Sequence, residues 1–125
     1  MRLKTYVVNL EKSVARKQYM QELLKNCEFL DIEFMKAIDG RLMSEDQRKD
    51  LFDYDASMKH YGRYLNEGEV GCALSHRSCY KALLDSDRSY AMVLEDDISV
   101  IRDWNSLPWD DIIFQNHCIG SVGIQ

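Results

Sequence analysis

An uninterrupted apolar run that ends in three acids limits most strongly what this chain can fold into. Ala91-Met92-Val93-Leu94 has the length of a strand, and Glu95-Asp96-Asp97 follows it directly. A strand without polar alternation is typical of a parallel sheet that helices cover on both faces. In open α/β sheets, ligands bind at the carboxyl ends of the strands. The run therefore predicts a buried strand that delivers carboxylates to a ligand-binding edge.

Strand and helix patterns alternate along the preceding residues. Residues 6–10 are rich in β-forming side chains, and Ser13 is a candidate N-cap for a periodic helix after them. A second strand, in which apolar residues alternate with acids, runs from Leu30 to a turn at residues 37–40. Such alternation predicts right-handed crossovers and a mostly parallel sheet. The expected fold class is α/β.

Two helices and a loop are predicted between the second and third strands. A capping box at Ser44–Gln47 predicts a short helix that ends near Leu51. Residues 52–68 are polar and tyrosine-rich without a helical period, which predicts a loop. Residues 69–84 carry a helical stripe whose predicted buried members are Val70, Ala73, Leu74, Leu83 and Leu84. Residues 1–107 are expected to form one α/β domain whose sheet is incomplete at its C-terminal side, and residues 108–125 an irregular tail.

Size and charge exclude several classes of protein. With 125 residues and 46% hydrophobic side chains, the chain can bury the core of one domain. Its net charge of −5 argues against a general nucleic-acid binder, because excess Lys and Arg carry affinity for phosphate backbones. Without a signal-peptide core or a membrane-length apolar run, the expected location is cytoplasmic. The four cysteines form no CxxC pair and are expected to be free thiols.

The three acids of the third strand allow two interpretations. Carboxylate oxygens suit Mg²⁺ or Mn²⁺, which take the rest of their ligands from water and substrate phosphates. Side chains alternate along an extended chain, so Glu95 and Asp97 would face the same side. The alternative is an acidic turn after a core strand, because acids are common turn residues.

Basic residues crowd the start of the first predicted helix. Lys12, Arg16 and Lys17 lie where the helix macrodipole is positive, and a bound anion would relieve this unfavourable charge. Arg16 is a candidate ligand for a diphosphate, with Asn9 contributing from the strand end. A solvated basic face is the alternative. The stretch lacks the glycines of GxGxxG and P-loop motifs, which excludes the commonest nucleotide-binding loops.

Cys72, His76 and Cys79 share one face of the long predicted helix. Their spacing permits a zinc site if His117 or Cys118 supplies a fourth ligand, whereas a packed or hydrogen-bonded face is the alternative. His76 is also a candidate proton donor, because the ordinary pKa of histidine lies near neutrality.

Two other polar residues give weaker signals. Ser75 precedes His76 directly, so their side chains point in different directions from a helix, and no nucleophile elbow surrounds them. The signal for a serine hydrolase is therefore weak. Asp39 closes the second strand, where it either contacts a sugar hydroxyl or forms the turn.

Four segments of the chain occur in this order: Val7-Val8-Asn9-Leu10 with Ser13 and Arg16, Ala37-Ile38-Asp39-Gly40, Gly68-Glu69-Val70-Gly71-Cys72-Ala73-Leu74-Ser75-His76, and Leu94-Glu95-Asp96-Asp97. In this combination they resemble glycosyltransferase family 25, which includes bacterial lipooligosaccharide galactosyltransferases. The resemblance spans roughly residues 5 to 105. The third and fourth segments together are considerably more specific than either alone.

The resemblance implies a nucleotide-sugar-binding domain of the Rossmann-like GT-A type. Residues 95–97 would take the place of the family's Asp-x-Asp motif, with Glu95 and Asp97 binding Mn²⁺ or Mg²⁺. A UDP-sugar donor would be contacted by residues at the ends of the strands and along the long helix: Asn9, Arg16, Ala37, Asp39, Gly40, Ser75, His76 and Asp96. The resemblance assigns no catalytic base.

The resemblance also implies the reaction and its surroundings. Galactose or glucose would be transferred with inversion to a lipooligosaccharide or another glycan acceptor, often lipid-linked at the inner face of the cytoplasmic membrane. A peripheral membrane contact and a homo-oligomer are further expectations. Family members are normally longer, so this chain is expected to hold the donor-binding portion. The alternative function is a non-catalytic nucleotide- or metal-binding module.

Overall fold

The computed structural model describes residues 2–109, which form a parallel sheet with helices packed on both faces. The strands are β1 (Leu3–Asn9), β2 (Leu30–Lys36) and β3 (Met92–Glu95), in the order β2-β1-β3. Both neighbouring pairs are parallel. The predicted α/β class is confirmed, and nearly all of the predicted tail lies outside the described residues.

Four α-helices connect these strands. Helix α1 (Val14–Leu24) leads from β1 to β2, whereas α2 (Glu45–Leu51), α3 (Tyr54–Tyr61) and α4 (Glu67–Asp85) lie between β2 and β3. Short 3-10 turns occupy Gly40–Leu42 and Trp104–Ser106. Within residues 2–109, none of the helices combines the length and apolar character needed to cross a membrane.

The central strand β1 contributes to two separate cores. Leu3 and Val7 pack into the cluster that contains the buried residues of α1, whereas Tyr6 and Val8 pack against Cys79 of α4. Side chains alternate across a strand with a period of two, so the two helices lie on opposite faces. The connection from β1 to β2 and the connection from β2 to β3 cross the sheet in opposite directions. Because such connections are right-handed, their helices must lie on opposite faces of the sheet.

The segment predicted to be a loop contains a helix. Residues 54–61 form α3, and α4 begins at Glu67, two residues earlier than predicted. The side chain of Asp53 accepts a hydrogen bond from the Ala56 N–H at 2.9 Å, and Gly62 ends the helix with a left-handed φ of 71°. Tyr54, Met58 and Tyr61 recur at helical spacing within it, but Met58 and Tyr61 are exposed, and Ser57 is the buried position. The polar residues between them obscured this short period in the sequence.

The buried face of α4 differs from the predicted stripe. Ala73 is exposed and Leu84 is 84% exposed. The buried residues of the helix are Val70, Gly71, Leu74, Ser75 and Cys79. Small residues belong to this face because the backbone of α4 lies directly against the loop that follows β2.

Glu69 closes a capping box at the start of α4. Its carboxylate accepts hydrogen bonds from the Arg63 guanidinium at 2.8 and 2.9 Å and from the Asn66 backbone N–H at 3.1 Å. The arginine contact, followed by the backbone one, lowers the pKa of Glu69 from 4.5 to about 2. A carboxylate with a lowered folded-state pKa stabilises the fold above its unfolded-state pKa, and this contribution is lost as the pH falls.

We expect the Glu69→Gln variant to lose part of the acid dependence of stability. In the wild type, protonation of Glu69 should lower the free energy of unfolding as the pH falls from 4.5 to about 2. The variant should lack this decrease. Chemical denaturation across this pH range measures the difference. Glu22→Gln, at an exposed position of α1, is the control. Identical pH profiles for wild type and Glu69→Gln would contradict the assignment.

Candidate functional site

The carboxyl ends of the three strands meet at one edge of the sheet. Asn9 at the end of β1 pairs with Lys36 at the end of β2, and Val8 pairs with Glu95 at the end of β3. The chain leaves β1 toward β2 and then crosses back over β1 to reach β3. Ligands bind in open α/β sheets beside such a reversal of strand order.

The three acids at this edge have three different environments. Glu95 faces α4, Asp96 is buried toward α1, and Asp97 is exposed. Strand β3 ends at Glu95, and residues 96–97 form a turn. The alternation expected to place Glu95 and Asp97 on one side therefore does not continue to Asp97. The adjacent Glu95 and Asp96 contact opposite sides, Glu95 with His76 of α4 and Asp96 with Arg16 of α1.

Asp96 joins the ends of β3 and β1 to the start of α1. Its Oδ2 accepts a hydrogen bond from Asn9 Nδ2 at 2.9 Å, and its Oδ1 accepts one from Arg16 Nη1 at 3.2 Å. Asn9 Nδ2 also donates to the Ser13 carbonyl at 3.2 Å. Asp96 and Asn9 are each 7% exposed, whereas the Arg16 side chain is 58% exposed. Three predicted donor-binding residues are thus brought together, and Arg16 keeps a solvent-facing surface.

We expect Asp96→Ala to destabilise the fold by about 1–3 kcal/mol, because it leaves the buried Asn9 amide without its carboxylate partner. Urea denaturation measures the change. Asp87→Ala removes an exposed carboxylate between α4 and β3 and should stay within about 0.5 kcal/mol of wild type. Equal effects of the two substitutions would show that Asp96 is not a structural anchor.

Cys72, His76 and Glu95 form a second polar group on the α4 side. Glu95 Oε1 lies 2.6 Å from His76 Nε2 and accepts a longer contact from Cys72 Sγ at 3.6 Å. Burial, and then the negative charge of Glu95, raises the pKa of the Cys72 thiol. The helix supplies Cys72 and His76 one turn apart, and the strand end supplies the carboxylate.

Cys79 does not belong to this group. It is fully buried beside Tyr6 and Val8, and burial raises the pKa of its thiol to about 11. The predicted face of Cys72, His76 and Cys79 is thus divided between the edge and the core. Cys27, Cys72 and Cys79 are free, as expected, and His117 and Cys118 lie outside the described residues.

The loop at residues 37–40 packs directly on α4. Ser75 Oγ accepts a hydrogen bond from the Ile38 N–H at 2.8 Å and donates one to the Gly71 carbonyl at 2.7 Å. A Cβ on Gly71 would lie 2.6 Å from both Gly40 N and the Ile38 carbonyl oxygen. A Cβ on Gly40 would lie 1.9 Å from the Glu67 carbonyl oxygen. The second and third motif segments are therefore the two sides of one contact, which also holds Ala37 near the edge.

Asp39 has the turn-forming role that was one of its two interpretations. Its Oδ1 accepts the Arg41 backbone N–H at 3.1 Å, and its Oδ2 accepts Lys12 Nζ at 3.4 Å. The backbone hydrogen bond is the main cause, and Lys12 a further cause, of a lowered pKa of Asp39. Whether Asp39 also contacts a donor sugar stays a prediction.

Two of the contacts at this edge that were not predicted from the sequence involve residues outside the predicted donor-binding set. One is the Lys12–Asp39 ion pair, which ties the loop after β1 to the loop after β2. The other is the approach of Cys72 to Glu95. The helical spacing of Cys72 and His76 was a usable signal for the second contact, but their partner is distant in sequence. The first had no local signal.

Glu95 and Asp97 offer oxygens that fit a hard divalent cation. Among residues 2–109, Glu95 Oε2 has no hydrogen-bond partner, and the side chain is 43% exposed. Asp97 is exposed beside it in sequence. Solvent-facing carboxylates suit Mn²⁺ or Mg²⁺, which retain several waters when bound to proteins. The chemistry of these two side chains therefore suits the expected metal, whose binding here stays a prediction.

Comparisons with known proteins agree on one family. The model of glycosyltransferase family 25 (LPS biosynthesis protein) matches residues 2–108. A glycosyltransferase 25 family member from Aedes aegypti is 33% identical over 96 residues, which cover 74% of this chain and 16% of the relative. Procollagen galactosyltransferase 2 from Homo sapiens is 29% identical over 99 residues, which cover 74% of this chain and 15% of the relative.

The matched region spans only about one sixth of these two relatives. The family-model match, residues 2–108, includes all three strands of the described sheet and the polar groups at their carboxyl ends. Because the family model matches most of its residues, the chain belongs to glycosyltransferase family 25.

Proposed function

We propose that this chain is the nucleotide-sugar-binding part of a metal-dependent glycosyltransferase. The observation that carries the proposal is that Asn9, Arg16, Glu95 and Asp97 all lie at the carboxyl edge of the sheet, next to the reversal of strand order. A UDP-sugar is the proposed donor. The name of the human relative, a procollagen galactosyltransferase, supports galactose as the first sugar to test.

The start of α1 is the proposed binding site for the donor diphosphate. Among residues 2–109, Ser13 makes no side-chain cap hydrogen bond, and the first turn contains no acidic residue of its own. The backbone N–H groups of this turn therefore lack a side-chain cap, and helix N-termini of this kind favour phosphate. Arg16 lies in the same turn, where Asp96 holds one of its nitrogens and leaves the rest of the guanidinium toward solvent.

Glu95 and Asp97 are the proposed holders of Mn²⁺ or Mg²⁺. When bound, the cation would neutralise negative charge on the departing nucleoside diphosphate. Asn9 and Asp96 would orient Arg16 toward the same phosphates. An acceptor hydroxyl would then attack the sugar with inversion, with acceptor contacts supplied by parts of such enzymes beyond the region matched here.

Thermal unfolding with Mn²⁺ and UDP, separately and together, tests this proposal. A ligand that binds only the folded state stabilises it by about 2.7 kcal/mol at 100 times its dissociation constant. We expect the largest increase in Tm with both ligands and a smaller one with Mn²⁺ and uridine, which lacks the diphosphate. The absence of any shift would contradict donor binding. A shift without donor hydrolysis or transfer, across a panel of nucleotide sugars, would favour the non-catalytic module.

We expect Arg16→Ala to weaken UDP binding by roughly 10- to 100-fold, the range for a lost hydrogen bond to a charged group. Uridine binding should change little, because uridine has no phosphate. Calorimetric titration in Mn²⁺ measures both affinities. Lys25→Ala removes a positive charge at the other end of α1 and is the matched control. An equal loss for UDP and uridine would show that Arg16 is not a phosphate ligand.

A further inference from the structure

One cluster at the carboxyl edge combines sulfur, nitrogen and oxygen ligands. A ligand atom from each of Cys72, His76 and Glu95 lies within 4.8 Å of the other two. Cys72 and His76 lie four positions apart on α4, so both side chains project from the same face of the helix. Glu95 reaches them from the end of β3. Two rigid elements therefore bring together three different ligand types.

The cluster is accessible from solvent. Cys72 is exposed, and the His76 and Glu95 side chains are 29% and 43% exposed. The carboxylate lies between the other two groups, 2.6 Å from His76 Nε2 and 3.6 Å from Cys72 Sγ. A cation could enter without opening the core, and small side-chain rotations would turn the three atoms toward it.

The chemistry of the set selects a particular class of cation. Thiolate and imidazole are ligands of zinc, whereas Mg²⁺ and Mn²⁺ favour carboxylates and water. Three protein ligands with one position left to water form a recurrent zinc arrangement. Binding would convert the Cys72 thiol to a thiolate and release its proton to solvent.

We propose that Cys72, His76 and Glu95 bind one Zn²⁺ ion, with water at the fourth position. The site is independent of the proposed function, but one consequence rests on it. Glu95 is a proposed ligand of both ions, so bound Zn²⁺ should weaken Mn²⁺-dependent donor binding. Donor binding at the carboxyl edge would then depend on which metal ion is available.

Cobalt substitution tests the site directly. We expect the reduced, metal-free 125-residue chain to bind one Co²⁺ with a thiolate-to-cobalt charge-transfer band, and Zn²⁺ to displace the cobalt. Cys72→Ser should abolish the band, and His76→Gln should weaken cobalt binding. A triple variant with Cys27→Ser, Cys79→Ala and Cys118→Ser keeps Cys72 as its sole cysteine and should keep the band. Circular dichroism checks that each variant is folded.

Two outcomes would overturn the zinc proposal. One is the absence of a charge-transfer band in the folded wild-type chain, and the other is a band that survives in Cys72→Ser. Both measurements omit nucleotide, so they leave the donor-site proposal unaffected. Conversely, a cobalt band in a chain whose Tm does not respond to Mn²⁺ and UDP would contradict only the donor site.

The competition has its own measurement. Zn²⁺ should itself raise the Tm of wild type, but after one equivalent has been added, Mn²⁺ and UDP should produce no further increase. The same addition to Cys72→Ser should leave the increase with Mn²⁺ and UDP in place, because Cys72 has no proposed role in donor binding. A Zn²⁺ effect of equal size in both chains would contradict competition through this cluster.

Discussion

Replacing Gly71 with alanine is expected to destabilise the fold by about 1–3 kcal/mol, the usual cost of overpacking a tight contact. The added Cβ would lie 2.6 Å from Gly40 N and from the Ile38 carbonyl oxygen. Both atoms belong to backbone, so a side-chain rotation cannot relieve the clash. The loop at residues 37–40 would have to move away from α4, with loss of the hydrogen bond from the Ile38 N–H to Ser75.

Gly68→Ala is the matched control on the same helix. Its Cβ would meet only the Asn66 side-chain oxygen, at 3.5 Å, which is an ordinary contact. Alanine favours a helix over glycine by about 1 kcal/mol at an interior position, so this variant should be neutral or slightly stabilised. Urea denaturation of both variants compares the two effects. If Gly71→Ala is as stable as Gly68→Ala, α4 and the loop do not pack as described.

Asp97→Asn is expected to abolish the Mn²⁺-dependent part of UDP binding while leaving the fold intact. The substitution keeps the size of the side chain but removes the charge that would hold a divalent cation. Asp97 is exposed in the turn after β3, so its replacement disturbs no core packing. The predicted signature is the loss of the joint Mn²⁺ and UDP increase in Tm, with an unchanged Tm in the absence of ligands.

Asp87→Asn provides the same chemical change away from the carboxyl edge. Its side chain is 97% exposed between α4 and β3, and the variant should respond to Mn²⁺ and UDP as wild type does. Retained Mn²⁺-dependent binding in Asp97→Asn would exclude this carboxylate as a metal ligand. Asp97→Asn should also keep the cobalt band, because the zinc cluster does not include Asp97.

The strands and the capped helix α2 were predictable because their signals are local. The apolar run before Glu95 identified β3, and the reciprocal Ser44–Gln47 hydrogen bonds are the predicted capping box. Helix α3 escaped prediction because the period of Tyr54, Met58 and Tyr61 is short, and Met58 and Tyr61 are exposed. Local pattern detects an element only when packing or capping has a clear sequence signature.

The position of the candidate site was also predictable, but its internal contacts were not. Acids after an apolar strand and basic residues after β1 both indicated the carboxyl edge. The sequence did not reveal that Asp96 is a buried anchor or that Glu95 contacts His76. Those outcomes depend on where β3 ends and on which helix covers each face.

The sequence by itself determined the α/β class and the family resemblance, because both depend on local periodicity and on motifs in a given order. Only the tertiary structure decided how the motif residues are used. Asn9 meets Asp96 across 87 residues, and Ile38 meets Ser75 across 37. Such contacts form only when right-handed crossovers bring separate strand ends and helices to one edge, and no local pattern encodes which partners then meet.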